Sequence, residues 1–238
     1  MGTNDAVAYF QSGEAHFKNG NHSMAITDLT QSIKLDPNNA RAYCLRGLVR
    51  FKSRDTDTNK EIEDFSQAIR LKPDYAVAYV NRASAYAKID DLDAAVQDYE
   101  KAIDLDPKNL FAYAECARIY EKLGAPEDAI DIYGKAIQIA PNDTDLLIYR
   151  ATLYHAMGKD NETKGKHGDA IGNYNDAIAD CTKVIQIDPT NAIAYCTRGL
   201  LYKYSNNLDA AIADIEKALK LDPNNADAKK FLANAKRT

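Results

Sequence analysis

The chain repeats itself: a Leu/Ile-Asp-Pro-x-Asn pattern, or its remnant, closes one segment after another. It appears as Leu35-Asp36-Pro37-Asn38-Asn39, Leu71-Lys72-Pro73, Leu105-Asp106-Pro107-Lys108-Asn109, Ile139-Ala140-Pro141-Asn142, Ile187-Asp188-Pro189-Thr190-Asn191 and Leu221-Asp222-Pro223-Asn224-Asn225. The prolines stand 36, 34, 34, 48 and 34 residues apart. A 34-residue period is that of stacked helix pairs, none of which buries its apolar face alone. The spacing therefore predicts an all-α, quasi-linear array. Cut at this period, the chain gives repeats 6–39, 40–75, 76–109, 110–143, 144–191 with an insertion near 158–172, and 192–225, followed by a capping helix over 226–237.

Aligned on one another, the six copies show columns. The fourth position holds Tyr9, Tyr43, Tyr79, Tyr113, Leu147 and Tyr195, and the eighth is always small: Gly13, Gly47, Ala83, Ala117, Ala151 and Gly199. Small residues let two helix backbones approach, and the bulky residue four places earlier fills the space beside them. In the second helix Ala25, Ala95, Ala129, Ala177 and Ala211 share the twentieth position, and Ser32, Ala68, Ala102, Ala136 and Ala218 the twenty-seventh. Glu61 and Val184 break these columns, each in a repeat that carries an insertion. Within the third repeat Val77, Tyr79, Val80, Ala83 and Tyr86 mark the first helix, and Ala94, Ala95, Tyr99, Ala102, Ile103 and Leu105 the second. The Asp-Pro step then stops the helix, because proline lacks the backbone donor and disfavours helical geometry in its predecessor. Pro126 instead suits the first turn of a helix.

Over residues 6 to 225 the chain resembles a tetratricopeptide repeat (TPR) protein, whose pattern places an aromatic residue, Leu-Gly, Tyr, Ala, Phe, Ala and Pro at these spacings. It departs from that pattern in having no Trp, Tyr standing in its place, and in carrying Arg where the family has Leu. The resemblance implies an α-solenoid of antiparallel helix pairs wound into a right-handed superhelix, and a binding scaffold rather than an enzyme.

Composition narrows the function further. A formal charge of −5 with no basic cluster argues against nucleic acid, whose binding requires Lys and Arg to neutralise phosphates. No window approaches the ~18 uninterrupted apolar residues of a membrane span. The first residues carry no basic-then-apolar leader, so a cytoplasmic location is expected. Cys44, Cys116, Cys181 and Cys196 fall on the helical pattern without a Cys-x-x-Cys pair and read as reduced, packed thiols. His16, His22, His155 and His167 lie in different places without ligand spacing, and neither Gly-x-Ser-x-Gly nor His-Glu-x-x-His occurs. No catalytic activity, metal or cofactor is expected. Asp55-x-Asp57-x-Asn59 imitates the start of a calcium loop but places Lys60 where glycine is required and Ser66 where the bidentate Glu belongs. The run from Gly158 to His167 imitates a phosphate loop, with its glycines too far apart and His167 in place of the hydroxyl.

One charged pattern emerges from comparing the copies. Arg46, Arg82, Arg150 and Arg198 share the seventh position, and each is matched by an Asp at the twenty-third: Asp64, Asp98, Asp180 and Asp214. The expectation is a structural ion pair between the two helices of each repeat. The fourth repeat lacks both, with Cys116 and Ile132, and the first keeps Asp28 opposite Ser12. The insertion in the fifth repeat stays in helical phase through Ala170, Ile171, Tyr174, Ala177, Ile178 and Cys181. This predicts a second helix extended backwards by one or two turns and projecting beyond its neighbours.

The resemblance also implies a ligand groove on the concave side, lined by first-helix positions two, five, six, nine, twelve and thirteen. Mapped onto this chain, the partner-binding candidates are Phe10, Gln11, Leu45, Leu48, Val80, Asn81, Phe111, Glu115, Arg118 and Tyr149. Val7, Val77 and Ile193 lie in the same columns, with a lysine border of Lys18, Lys52, Lys88 and Lys122. The carboxylate clamp of chaperone-cofactor TPRs is not reproduced: only Asn81 matches it, with Cys44 and Leu48 standing where Lys and Asn are needed. An apolar strip suits an extended or helical segment with hydrophobic anchors. The sequence thus reads as an adaptor for a protein or peptide partner. The rival readings are a self-assembling homo-oligomer and an interaction module of a larger protein.

Overall fold

The computed structural model describes residues 3–53 and 57–235. Among them are thirteen α-helices and no strand. Two compact units divide the chain, Met1–Leu123 and Gly124–Thr238. The first holds α1 (Thr3–Lys18), α2 (His22–Leu35), α3 (Ala40–Lys52), α4 (Thr58–Leu71), α5 (Ala76–Lys88), α6 (Leu92–Leu105) and α7 (Leu110–Leu123). The second holds α8 (Pro126–Ile139), α9 (Thr144–Thr163), α10 (His167–Ile187), α11 (Ala192–Tyr204), α12 (Leu208–Leu221) and α13 (Ala226–Ala235). Odd-numbered helices up to α11 are first helices of the repeats, and α13 packs Ala228 and Phe231 with Ile215 and Ala218 of α12. Lys236 and the calcium-like Asp55 lie outside the described residues.

The recurrent Asp-Pro-x-Asn has a local job at each end. Asp36, Asp106, Asp188 and Asp222 each accept the backbone N–H two residues on through Oδ1, which folds the chain back past the proline. Asn39, Asn109, Asn191 and Asn225 then accept the N–H three residues on at 2.9–3.1 Å, capping α3, α7, α11 and α13. Where the motif decays to Lys72-Pro73-Asp74-Tyr75, no side chain caps α5. The turn between the two helices of a repeat needs one left-handed residue. It is filled by Gly20, Gly124 or Gly165, and by Asp90 and Asn206, residue types that tolerate positive φ.

The eighth-position column works as a close-approach point. A Cβ on Gly13, Gly47 or Gly199 would lie 2.8 Å from Leu29, Phe65 or Ile215 of the second helix. The alanine columns are equally tight: Ala25, Ala95, Ala129, Ala177 and Ala211 are fully buried. The larger residues of these columns are accommodated too, Val184 being fully buried. Ser32 donates its hydroxyl to the Ala6 carbonyl at 2.9 Å, and the fully buried Glu61 receives Lys88 Nζ at 3.1 Å from the next repeat.

All four expected ion pairs form, each bidentate. Nε and Nη2 of Arg46, Arg82, Arg150 and Arg198 reach the two oxygens of Asp64, Asp98, Asp180 and Asp214 at 2.6–3.0 Å. Ser12 substitutes with a 2.6 Å bond to Asp28. The guanidinium also ties one repeat to the one before: Nη1 of Arg46, Arg82 and Arg198 reaches the hydroxyls of Thr30, Ser66 and Thr182 at 3.0–3.1 Å. At Arg150 the equivalent place is Gly134, where an added Cβ would lie 3.5 Å from Nη1. Gly134→Ser supplies the missing acceptor and removes a helix-interior glycine, so the chain should gain about 1 kcal/mol. Urea unfolding is the check, and equal or lower stability would contradict this reading of the column.

The insertion in the fifth repeat is shared between two helices. The second helix is lengthened as expected, with 21 residues in α10 against 14 in α12. The first is lengthened equally, with 20 residues in α9 against 13 in α11, which the sequence reading did not anticipate. Each arm gains seven residues, close to two turns, so both keep their apolar faces in phase. The inner layer of this pair joins Ala151, Ala177 and Cys181; a further layer places Gly158 against Tyr174, with Ala170 buried beside it.

Candidate functional site

Within each unit the first helices share one face, and the candidate residues are distributed unevenly across it. In the first unit the second-position residues Val7, Val77 and Phe111 stand open, Phe111 being 56% exposed and Val77 52%. Arg41 replaces them in the second repeat and lays its guanidinium over the Phe10 ring, 5.1 Å from its centre. In the second unit Ile193, at the same position, is 59% exposed.

The fifth and sixth positions sit deeper. Phe10 and Val80 are buried, Phe10 in a cluster with Ala25, Leu29, Ile33, Ala42 and Val49. Phe10 fills the seam between the first two repeats. Leu45 and Leu48 are half-buried and lean on adjacent clusters, leaving only an edge free. Asn81 is half-buried with Nδ2 4.0 Å from Cys44 Sγ, so the single clamp-like residue is turned to a neighbouring helix. Gln11 is exposed. Glu115 and Arg118 pair with each other along α7 at 2.7 Å. Tyr149, in the second unit, is exposed with its ring stacked on Tyr133 at 5.9 Å.

The lysine border is only partly a border. Lys88 is drawn to Glu61 and over the Phe51 ring, and Lys18 pairs with Glu14 at 3.4 Å. Cys44, Cys116, Cys181 and Cys196 are all buried. Burial pushes the thiols of Cys44, Cys181 and Cys196 above their ordinary range, which keeps these three protonated. Tyr99 bonds Ser84 at 2.8 Å, and burial raises its phenol to about 12. Among the described residues no cluster of His, Cys, Asp or Glu could hold a metal, and no helix is long and apolar enough to cross a membrane. The arrangement can therefore present apolar surface and hydrogen bonds.

Comparison with known proteins rests on the same columns. The Tetratricopeptide repeat models match residues 76–109 and 192–225 and residues 112–147, and a TPR repeat model matches residues 4–53. No curated protein matches the chain. Among solved structures, the chain is similar to YrrB, described as a TPR protein with an unusual peptide-binding site. The two are 20% identical over 88% of this chain and 98% of that one, with a TM-score of 0.67. It is also similar to the C-terminal part of a TPR repeat-containing protein from Cytophaga hutchinsonii, 18% identical over 95% of this chain and 87% of that one, with a TM-score of 0.76. The first TPR of Spaghetti, bound to the HSP90 peptide SRMEEVD, is 27% identical over 51% of this chain and 95% of that one, with a TM-score of 0.50. With the helix pairs, the small eighth position, the Asp-Pro-x-Asn junctions and the matched models all in the same register, the chain belongs to the tetratricopeptide repeat family.

Proposed function

We propose that the protein is a non-enzymatic scaffold that captures a polypeptide segment on its first-helix face, using apolar anchors. The observation that carries this reading is the recurrence of a bare apolar side chain at one repeat position: Val7, Val77 and Phe111 in the first unit, and Ile193 in the second. Exposed apolar residues scattered singly are ordinary, but a column of them along one face is a surface that gains by being covered. Leu45 and Leu48 contribute edges, and Gln11 and the Glu115–Arg118 pair supply polar contacts around it. Kinship with TPR proteins, one of which holds a peptide, supports the same conclusion.

The test is a displayed peptide library selected on the intact chain, followed by affinity measurement with the enriched peptides. Wild type should enrich peptides with spaced apolar residues. Val77→Glu combined with Phe111→Glu should weaken them about 30-fold, the loss of a central anchor of about 2 kcal/mol, with helicity unchanged because both side chains are exposed. Unchanged affinity would remove the first-helix face as the capture surface.

Self-assembly is a second reading favoured by one observation. Tyr9 is half-exposed beside an open concavity lined by Asp5, Ala8, Ser12, Gln31 and Leu35, whereas its counterpart Tyr43 packs against the preceding repeat. Sedimentation over a concentration range separates the two readings.

A further inference from the structure

At the end of the second unit, α9, α11 and α13 enclose an open cavity of about 250 Å³. Its floor is Leu200, Tyr204 and Phe231, and its rim carries Lys159, Lys203 and Lys230 against a single carboxylate, Asp227. None of the three lysines is held in an ion pair among the described residues. In a chain of net charge −5 this is a local excess of positive charge, and a concave apolar floor strengthens the field it exerts on an entering anion. His155 forms part of the wall. Its ring lies 6.1 Å from Tyr174 and 5.7 Å from Tyr204, and its Nε2 is closed to water without a hydrogen-bond partner. A buried ring nitrogen left unsatisfied beside a cationic cavity asks for an explanation.

We propose that this cavity seats a carboxylate of an acidic peptide segment, with Lys159, Lys203 and Lys230 around it, and that His155 takes a proton from solvent as the segment binds. The inference deepens the proposed capture function, because every lining residue comes from first helices or the cap. The charged and titratable groups facing His155 are Lys159 on its own helix, Tyr174 on α10, Lys203 and Tyr204 on α11, and Asp227 and Lys230 on α13; Glu162 of α9 accepts the Tyr174 hydroxyl at 3.0 Å. In the empty cavity, burial and then the Lys159 charge hold the imidazole below its usual titration range, so it is neutral near pH 7. A carboxylate among the lysines offsets the Lys159 contribution, the smaller of the two causes, and shifts the imidazole toward its protonated form. By linkage, affinity must rise as pH falls.

The probe is acetyl-Leu-Leu-Glu-Asp with a free carboxy terminus, compared with the neutral isostere acetyl-Leu-Leu-Gln-Asn-amide. Binding to the full chain is followed by anisotropy of labelled peptide and by the His155 ring resonances. The acidic peptide should bind at least about tenfold more tightly, should tighten further between about pH 7.5 and about pH 6, and should move the His155 titration upward. Lys203→Glu combined with Lys230→Glu should cost about tenfold or more, and His155→Gln should abolish the pH dependence while leaving the lysine-dependent affinity. Equal binding of the two peptides, or an unmoved His155 ring, overturns the proposal; so does a pH dependence that survives His155→Gln. The outcome is independent of the apolar face. If Val77→Glu with Phe111→Glu leaves capture intact while His155 still responds, the apolar-anchor reading falls and the cavity stands.

Discussion

Asp64→Ala should lower the unfolding free energy by about 3 kcal/mol, within the range expected when one partner of a buried ion pair is removed. The reason is specific to this carboxylate. Its oxygens accept from Arg46 Nε and Nη2 at 3.0 and 2.6 Å and from Arg50 Nη1 at 2.6 Å, and its side chain is only 4% exposed. Removal strands two guanidiniums in a seam that keeps both largely from water. Arg46 retains Thr30 Oγ1 and Arg50 retains the Lys60 carbonyl, neutral partners that cannot balance the charge. Asp98→Ala strands a single arginine and should cost clearly less, about 2 kcal/mol. Urea unfolding of the two variants gives the comparison. A loss below about 1 kcal/mol for Asp64→Ala, or the reverse ranking, would show that these pairs contribute little beyond orientation.

Gly158→Val should cost about 3 kcal/mol through overpacking. A Cβ there would lie 2.4 Å from Cε1 and 2.7 Å from Cδ1 of Tyr174. That ring has nowhere to turn. It is stacked on Tyr204 at 4.6 Å and flanked by His155, and its hydroxyl is tied to Glu162. The α9 backbone must therefore retreat from α10, opening the outer layer of the lengthened pair. Gly172, with nothing within 4 Å of an added Cβ, is the control: Gly172→Ala should stabilise the chain by about 0.5–1 kcal/mol. If Gly158→Val unfolds at the wild-type urea concentration, the close approach is not needed.

The array and its ion pairs were legible because the chain supplies its own alignment. A charged residue that recurs with its partner in four copies of six is visible without any other sequence, and the bidentate geometry followed. What stayed hidden depended on depth. Phe10 and Leu45 read as equivalent members of a lining, yet one is buried and the other keeps a free edge, because Phe10 is closed in by Ala42 and Val49 of the following repeat as well as by its own second helix. The open second-position column was present as Val7, Val77, Phe111 and Ile193. Spacing alone cannot tell a bare side chain from one covered by the next helix. The forward extension of α9 was obscured by its composition: Gly158, Asp160 and Asn161 look like loop residues, and the glycine is in fact demanded by Tyr174. The lysines of the α9, α11 and α13 cavity come from three separate segments and have no local signature.

The matched seven-residue gains in α9 and α10 set a rule for how such a module can change size. An arm that grew by itself would have nothing to lean on, and one that grew by about two or five residues would swing its oily stripe round to the solvent side. Length in this kind of hairpin is quantised, added in whole turns on both limbs together. The fifth repeat is thus an ordinary one carrying a complete extra storey, and its family can acquire protruding features without disturbing the stack beneath them.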